Sequence, residues 1–368
     1  MKNIVICLDG TSNEVKAKAV TNVFKIVELL DLQDPDRQRV YYDPGVGTLP
    51  APGAWSGVAK RVSVLAGLAL GRGIRQNIAE AYTYLMRTWE PGDQIFVFGF
   101  SRGAYTARAL CGLLRTVGLL RPGSENLVPY AIRVYARNPR DADLSGAEGW
   151  DRINRFAGAL ALQTPGATVS CPVRYLGVFD TVKATSFIGP DFKWPWTRRL
   201  ANVQTVRHAV SIDERRRPYQ PYLLTFPPAG QAYPQMEEVW FAGIHSDIGG
   251  GFPDNPELGD ISMRWVLDGA VDAGLHIRDD EYARRYTLVE SDARAPISRM
   301  SWGGRLAGAA PIGSRRAVPA DAVMHGSVGI RCDADDAYRR RLPESVTFLD
   351  RGAWTGVPGD RPAAVGVP

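Results

Sequence analysis

The fold is decided by one stretch of the sequence, residues 94–105, which reads QIFVFGFSRGAY. Its first half is apolar and rich in β-branched and aromatic residues, which predicts a buried strand, and its end begins a helical pattern. Between them Gly99 and Gly103 flank Ser101 in the pattern Gly-x-Ser-x-Gly, where small residues let a strand and a helix pack closely around a sharp turn. Such a turn presents the serine hydroxyl at the carboxyl edge of a sheet, where a helix N-terminus favours negative charge.

The composition is that of an ordinary globular protein. The chain has 368 residues, is 45% hydrophobic, and carries a net charge of +5 from 44 Lys+Arg and 39 Asp+Glu. The basic residues are mostly arginine, which predicts a solvated arginine-rich surface, with peripheral attraction to an anionic membrane as the alternative. No nucleic-acid-binding motif accompanies this charge, so we do not expect a nucleic-acid partner. The composition leaves the oligomeric state open.

The spacing of the cysteines and the length of the apolar runs indicate where in the cell the protein is expected. The four cysteines lack the spacing of a zinc site or a disulfide framework, so we expect neither a metal nor disulfides: Cys7, Cys111, Cys171 and Cys332. The apolar run at residues 4–8 is too short for a signal peptide, and the run at residues 62–71 is shorter than the roughly 20 residues of a membrane span. We therefore expect a cytoplasmic protein as made, with any export independent of a signal peptide.

Apolar strands and amphipathic helices alternate along most of the chain, which predicts an α/β fold with a mostly parallel central sheet and helices on both faces. The predicted strands are residues 3–8, 39–42, 94–100, 173–179 and 239–244, with a weaker candidate at 222–226. The first predicted helix begins near Thr21 or Asn22, either of which would cap it. The other predicted helices are residues 74–89, 104–120, 125–137, 150–160, 203–213 and 260–273.

This pattern predicts one domain with insertions. We place the catalytic domain at residues 1–346, with a helical insertion at about 121–170 and a cap or lid loop at about 183–202. Residues 347–368 are rich in proline and glycine and predict a loose tail.

Three apolar strands end, in chain order, at Ser101, Asp180 and His245. The carboxyl ends of parallel strands lie on one edge of a sheet, so these side chains are expected to converge there. The order serine, aspartate, histidine is that of the α/β-hydrolases. In this interpretation His245 takes the proton of the Ser101 hydroxyl, and Asp180 fixes the tautomer of the imidazole.

Each of these residues also has a structural interpretation. His245 fits a satisfied histidine in a glycine-rich turn, and Asp180 fits a carboxylate that caps the turn after its strand. Asp247 is an alternative acid, although its position two residues after His245 favours a role in shaping the loop. Of the other histidines, His208 falls in a predicted helix, where a structural or substrate-facing role is expected.

An oxyanion hole requires a backbone N–H from the residue after the nucleophile, here Arg102, and a second from a loop after an earlier strand. The loop after residues 3–8 supplies Gly10 and Thr11 for this purpose. Asp9-Gly10-Thr11 also resembles the start of the haloacid dehalogenase phosphatases. In this chain Cys7 occupies the position of their nucleophilic aspartate, which argues against phosphoryl transfer.

Several motifs together resemble one known family, the uncharacterised bacterial α/β-hydrolases whose best-described members are type VI secretion phospholipase effectors. The motifs that carry the resemblance are DGT at residues 9–11, GFSRGAYTAR at 99–108, LGVFDTV at 176–182, RHA at 207–209, IDER at 212–215 and VWFAGIHSDIGGG at 239–251. The resemblance spans about residues 3–345. It implies a nucleophile at Ser101, an acid at Asp180 and a base at His245.

The resemblance implies a serine esterase or lipase that cleaves carboxylic esters through an acyl-Ser101 intermediate, with lipid or phospholipid acyl esters as the expected substrates, as in a phospholipase A. No metal or organic cofactor is expected. The alternatives are a hydrolase of a soluble ester or thioester and a non-catalytic α/β binding scaffold. Asp9 and the aromatic residues Phe187, Trp194 and Trp196 are candidate substrate-binding residues, with ordinary packing of a crossover loop as the alternative for the aromatic group.

Overall fold

Strands from most of the chain form one parallel sheet. The computed structural model describes residues 1–10, 20–45, 67–136, 147–162, 170–182, 194–227, 235–298, 315–350, 352 and 354–357. Within them the strand order is β2-β1-β3-β4-β5-β6-β7-β8, and every neighbouring pair is parallel. The strands are β1 (Asn3–Leu8), β2 (Gln38–Asp43), β3 (Gln94–Phe100), β4 (Val173–Phe179), β5 (Val203–Ser211), β6 (Gln235–Phe241), β7 (Val323–Met324) and β8 (Thr347–Phe348).

Helices cover both faces of this sheet, which confirms the predicted α/β class. They are α1 (Asn22–Leu29), α2 (Gly67–Thr88), α3 (Arg102–Val117), α4 (Val128–Ala136), α5 (Ala147–Leu160), α6 (His245–Gly249), α7 (Glu257–Asp272), α8 (Asp279–Arg285), α9 (Gly326–Ala334) and α10 (Asp336–Arg339). Thr21 caps α1, as predicted, because its side chain accepts the Phe24 N–H. Among the described helices, none has both the length and the apolar character needed to cross a bilayer.

The apolar strands are buried on both faces because alternate residues point to opposite sides. In β3, Ile95 and Val97 pack in one hydrophobic cluster with α2 and α3. Phe96 and Phe98 pack in a second cluster with α1 and α7. This two-sided burial explains why β1, β3 and β4 read as continuous apolar runs in the sequence.

The turn between β3 and α3 depends on two glycines. A Cβ at Gly103 would lie 2.2 Å from the Leu8 carbonyl oxygen, and one at Gly99 would lie 2.7 Å from the Ala104 Cα. Between them Ser101 has φ of 60° and ψ of −120°, a conformation that costs free energy for a residue with a side chain. The backbone of β1, β3 and α3 therefore approaches closely enough to hold Ser101 in a strained turn.

The predicted helix at residues 203–213 is wrong. The segment is β5, a strand paired with β4 on one side and β6 on the other. Apolar residues at positions 203, 206 and 210 imitate helical spacing, but the β-branched residues of this run fit a strand between two neighbours. His208 therefore lies on a strand.

Other differences arise where the sequence pattern is short. Residues 222–226 form no strand, and Tyr222 instead donates its N–H to the Thr181 carbonyl. Strands β7 and β8 have two residues each, which is too short for a recognisable alternation. Part of the predicted loose tail is packed, because Thr347–Phe348 is β8 and Trp354 is buried.

The domain division stays a prediction. Helices α4 and α5 both lie within the segment predicted as a helical insertion. Most of the predicted cap loop, at residues 183–193, lies outside the described residues.

We expect Gly103→Ala to lower the free energy of unfolding by about 3 kcal/mol, because the added methyl group meets backbone atoms of β1 that cannot move away. Gly158→Ala is the matched control. Gly158 lies on the exposed side of α5 with open space around it, so alanine there is neutral or stabilises by up to about 1 kcal/mol. Urea unfolding of both variants beside the wild type measures the difference, and equal stability for all three contradicts the tight turn.

Candidate active site

Three side chains meet at the carboxyl edge of the sheet. Ser101 follows β3, Asp180 follows β4, and His245 begins α6 after β6. The Ser101 Oγ lies 2.8 Å from the His245 Nε2, and the His245 Nδ1 lies 2.5 Å from the Asp180 Oδ2. The structure therefore brings together the three residues that the strand ends predicted to converge.

Asp180 is fully buried, and its carboxylate has several partners. The Ser211 N–H donates to Oδ1 at 2.9 Å, and the Arg316 guanidinium donates to both oxygens, with 2.9 Å between Nη2 and Oδ2. Burial by itself raises the pKa of a carboxyl, but the Arg316 charge and the hydrogen bond from His245 hold the pKa of Asp180 well below its usual range. Asp180 is therefore ionised and can accept a hydrogen bond from the Nδ1–H group of His245.

The imidazole of His245 is held from several sides. Its ring packs 4.7 Å from the Phe100 ring and 4.8 Å from the Tyr219 ring, measured between centroids. Burial lowers the pKa of His245, and this effect outweighs the opposing influence of Asp180. A neutral imidazole that donates from Nδ1 to Asp180 has a free lone pair on Nε2, so it can accept the Ser101 hydroxyl proton.

Glu214 and Arg216 complete this arrangement, and sequence analysis did not assign them a role. The Glu214 Oε2 accepts the backbone N–H of His245 at 3.2 Å and also lies 2.7 Å from the Arg216 Nη2. Burial opposes ionisation of Glu214, but hydrogen bonds and charge from Arg216 lower its pKa to about 2. In the sequence, the feature that could have pointed to Glu214 is the IDER motif at residues 212–215, which is part of the family resemblance but was given no role there.

Arg102 differs from the other two arginines beside the site. It is the first residue of α3, directly after Ser101, and it is half-buried. Arg216 is paired with Glu214 and Arg316 with Asp180, whereas the Arg102 guanidinium has no ion-pair or hydrogen-bond partner within the part of the chain that the structure describes. Burial lowers its pKa, and the nearby Tyr219 opposes this effect.

The loop after β1 differs in part from the expectation. Gly10 donates its N–H to Asp9 Oδ1 at 2.6 Å, so in this structure that amide already has an acceptor. Asp9 also accepts from the hydroxyls of Thr21 and Tyr42. Thr11 lies outside the described residues. Of the three predicted oxyanion donors, the backbone N–H of Arg102 is therefore the one that lies within the described residues and has no acceptor among them.

Asp247 and His208 have other partners. Asp247 Oδ2 accepts the N–H of Ile244 at 2.9 Å and that of Ser298 at 3.2 Å, so it shapes the loop around α6 and does not bond to His245. His208 lies 2.8 Å from Glu238 through Nδ1 and accepts the Thr181 N–H through Nε2. It therefore holds the backbone next to Asp180.

The two tryptophans proposed for substrate contact belong to the hydrophobic core. The Trp194 ring stacks on Tyr135 at 5.4 Å, and the Arg115 guanidinium lies 3.9 Å above the Trp196 ring. Their exposed fractions are 6% and 9%. The indole rings therefore pack the segment after residue 193 onto α3 and α4 and offer no exposed face to lipid. Phe187 lies outside the described residues.

A cavity of about 1070 Å³, lined by both apolar and charged residues, borders the site on the side of Glu214 and Ile244. Exposed Arg215, Arg315 and Arg341 are among its lining residues. Among the described residues, no group of three or more His, Cys, Asp or Glu side chains is arranged to hold a metal ion.

A family model described as "T6SS, Phospholipase effector Tle1-like, catalytic domain" matches residues 2–269. The chain belongs to this family. The resemblance to this family that the sequence motifs indicate is thereby confirmed.

Individual relatives match with partial coverage. An uncharacterized protein of Saccharomyces cerevisiae is 34% identical over 223 residues, which are 58% of this chain and 31% of that protein. An uncharacterized protein from Pseudomonas aeruginosa of known structure is 18% identical, with a TM-score of 0.43 over 81% of this chain and 49% of that chain. A Tle1 effector, solved bound to the VgrG spike of the type 6 secretion system, is 19% identical, with a TM-score of 0.35 over 68% of this chain and 51% of that chain. The chain thus spans about a third of the length of the curated relative and about half of each solved chain.

Proposed function

We propose that this protein is a serine ester hydrolase that cleaves acyl esters of phospholipids. The observation that carries the proposal is the continuous hydrogen-bonded path from Ser101 through His245 to Asp180. Membership of a family described as phospholipase effectors supports the substrate class. Release from the cell without a signal peptide, by a type VI secretion system, belongs to the same proposal because the family is described by that system.

In the acylation half of the reaction, the Ser101 Oγ attacks the carbonyl carbon of the ester. Its proton passes to the His245 Nε2, and the carbonyl oxygen becomes an oxyanion. The Arg102 N–H and the start of α3 face this developing charge, since both belong to the turn that holds Ser101. His245 then gives the proton to the leaving alkoxide, and an acyl-Ser101 ester remains.

In the deacylation half, water takes the place of the leaving alcohol. His245 accepts a proton from the water as its oxygen attacks the acyl carbon, and it returns that proton to Ser101 as the fatty acid leaves. Asp180 keeps its negative charge throughout and stabilises the imidazolium that forms twice in each cycle. No step in this sequence needs a group other than the three side chains, the oxyanion donors and water.

Arg102, which has no ion-pair partner among the described residues, supports a phospholipid over a neutral ester. A half-buried cation without a counter-ion is unfavourable, and a guanidinium suits the oxygens of a phosphate. The neighbouring positive charges are already neutralised by Glu214 and Asp180. A phosphodiester beside the cleaved ester would give Arg102 a partner of a kind that the described residues do not supply.

We expect Ser101→Ala to lower fatty-acid release from phospholipid vesicles by at least about 10³-fold while the melting temperature changes little. Ser246→Ala is the matched control, because Ser246 follows His245 directly and its side chain makes no hydrogen bond to the described residues. Fatty-acid titration across phospholipids, soluble acyl esters and thioesters measures both variants. Full activity of Ser101→Ala refutes the mechanism, and wild-type activity on soluble esters alone refutes the phospholipid substrate.

We expect Arg102→Gln to lower kcat/KM on phosphatidylglycerol by about 10- to 100-fold, since a charge-assisted hydrogen bond contributes about 1.5–3 kcal/mol. Hydrolysis of a neutral glyceride with the same acyl chains should stay within about threefold, because the backbone N–H is unchanged. Arg199→Gln, at an exposed arginine, controls for the loss of one positive charge. An equal loss on both substrates would exclude a role of the Arg102 side chain in phosphate binding.

A further inference from the structure

Asp180 is bound by an arginine from a distant part of the chain. Arg316 lies 136 positions later in the sequence, outside the residues 2–269 that match the family model. Its guanidinium approaches Asp180 with both terminal nitrogens, Nη1 toward Oδ1 and Nη2 toward Oδ2. The side chains of Arg316 and Asp180 are 1% and 0% exposed, so this ion pair is shielded from water.

The guanidinium of Arg316 is also fully satisfied. Besides its two bonds to Asp180, Nη1 donates to the Ser211 carbonyl at 3.0 Å, and Nε donates to the Tyr219 carbonyl at 3.1 Å. The second proton on Nη2 points to the same Tyr219 carbonyl. All five N–H groups have acceptors, so the orientation of the guanidinium is determined by the surrounding backbone.

This geometry has two consequences for Asp180. A buried carboxylate needs a cation to stay ionised, and a bidentate guanidinium also fixes the plane of the carboxylate. The pair is nearly neutral as a whole, so Asp180 attracts a proton on His245 less strongly than an uncompensated carboxylate at the same distance.

We propose that Arg316 is a positioning residue for the relay: it aims the Asp180 carboxylate at His245 and keeps the imidazole in its neutral, proton-accepting form at lower pH. The inference rests on the proposed function, in which His245 is the general base. It also means that full activity requires a residue in the C-terminal part of the chain, beyond the region that the family model covers.

The charged and titratable groups around His245 come from several elements. Asp180 follows β4, Glu214 and Arg216 follow β5, and Arg102 begins α3. Tyr219 packs edge-on against the imidazole. Burial is the largest effect and lowers the pKa of His245, the hydrogen bond and charge of Asp180 raise it, and the smaller effects of the Arg216 and Arg316 charges lower it. Removing the Arg316 charge should therefore raise the pKa of His245 and move the acid limb of kcat/KM to higher pH.

The test uses Arg316→Gln, which removes the charge, and Arg316→Lys, which keeps the charge but loses the bidentate geometry. Arg199→Gln is the control for the loss of one positive charge, because Arg199 is exposed and is not among the residues that line the cavity beside the site. The readouts are kcat/KM against pH and the titration of the His245 imidazole by nuclear magnetic resonance, assigned with His245→Gln.

For Arg316→Gln we expect the acid limb and the His245 titration to move up by about one pH unit, with kcat at the plateau lowered about tenfold. Arg316→Lys should keep the position of the acid limb and lose plateau activity, and Arg199→Gln should match the wild type. An unchanged His245 titration together with an unchanged plateau in Arg316→Gln would overturn the inference. If that variant does not fold, wild-type plateau activity in Arg316→Lys overturns it instead.

The two proposals fail in different ways. Where the His245 titration moves in Arg316→Gln but the acid limb of hydrolysis does not follow it, the electrostatic effect of Arg316 stands and His245 is not the base. Where both move together, the positioning role and the proposed mechanism are supported together.

Discussion

The carboxylate of Asp180 is the point at which distant parts of the chain meet. It follows β4, accepts the Ser211 N–H at the end of β5, contacts His245 after β6, and is paired with Arg316 from the segment before β7. A carboxylate buried without partners would carry a large free-energy penalty, and each of these hydrogen bonds and the ion pair reduces that penalty for Asp180. The position of the candidate base therefore depends on a parallel sheet that brings these strand ends together.

The strained turn at Ser101 is connected to the buried carboxylate of Asp180 through the backbone. The positive φ of Ser101 is maintained because Gly103 lets α3 approach the end of β1 and because the Ser101 N–H bonds to the Phe179 carbonyl. That last hydrogen bond links the turn to the residue directly before Asp180. The candidate nucleophile and the candidate acid are thus positioned by adjacent strands, and His245 lies between them.

The sequence predicts this part of the molecule well for a physical reason. Strands β1, β3 and β4 are buried on both faces, so they appear as continuous apolar runs, and the polar residue that ends each run marks the carboxyl edge. β5 was misassigned because its apolar positions also fit a helix, and its two neighbouring strands decide the outcome. The hydrophobic pattern of a segment does not show which strands lie beside it in the sheet.

Arg316 and Glu214 illustrate what pattern alone leaves out. Neither belongs to an apolar run or to a catalytic motif, and each acquires its role from a partner far away in the sequence. In an arginine-rich chain, nothing in the local sequence separates Arg316 from its exposed neighbour Arg315. Their difference depends on tertiary contacts: one cation neutralises a buried carboxylate, and the other lines a cavity.

The central claim is that Ser101 is a nucleophile activated by His245, and covalent labelling tests it most directly. The folded protein would be treated with a fluorophosphonate and digested, and the modified peptide identified by mass spectrometry. The account predicts one adduct, on Ser101, that forms much more slowly in His245→Gln. No adduct on Ser101 in folded protein, while a control hydrolase reacts under the same conditions, would contradict it.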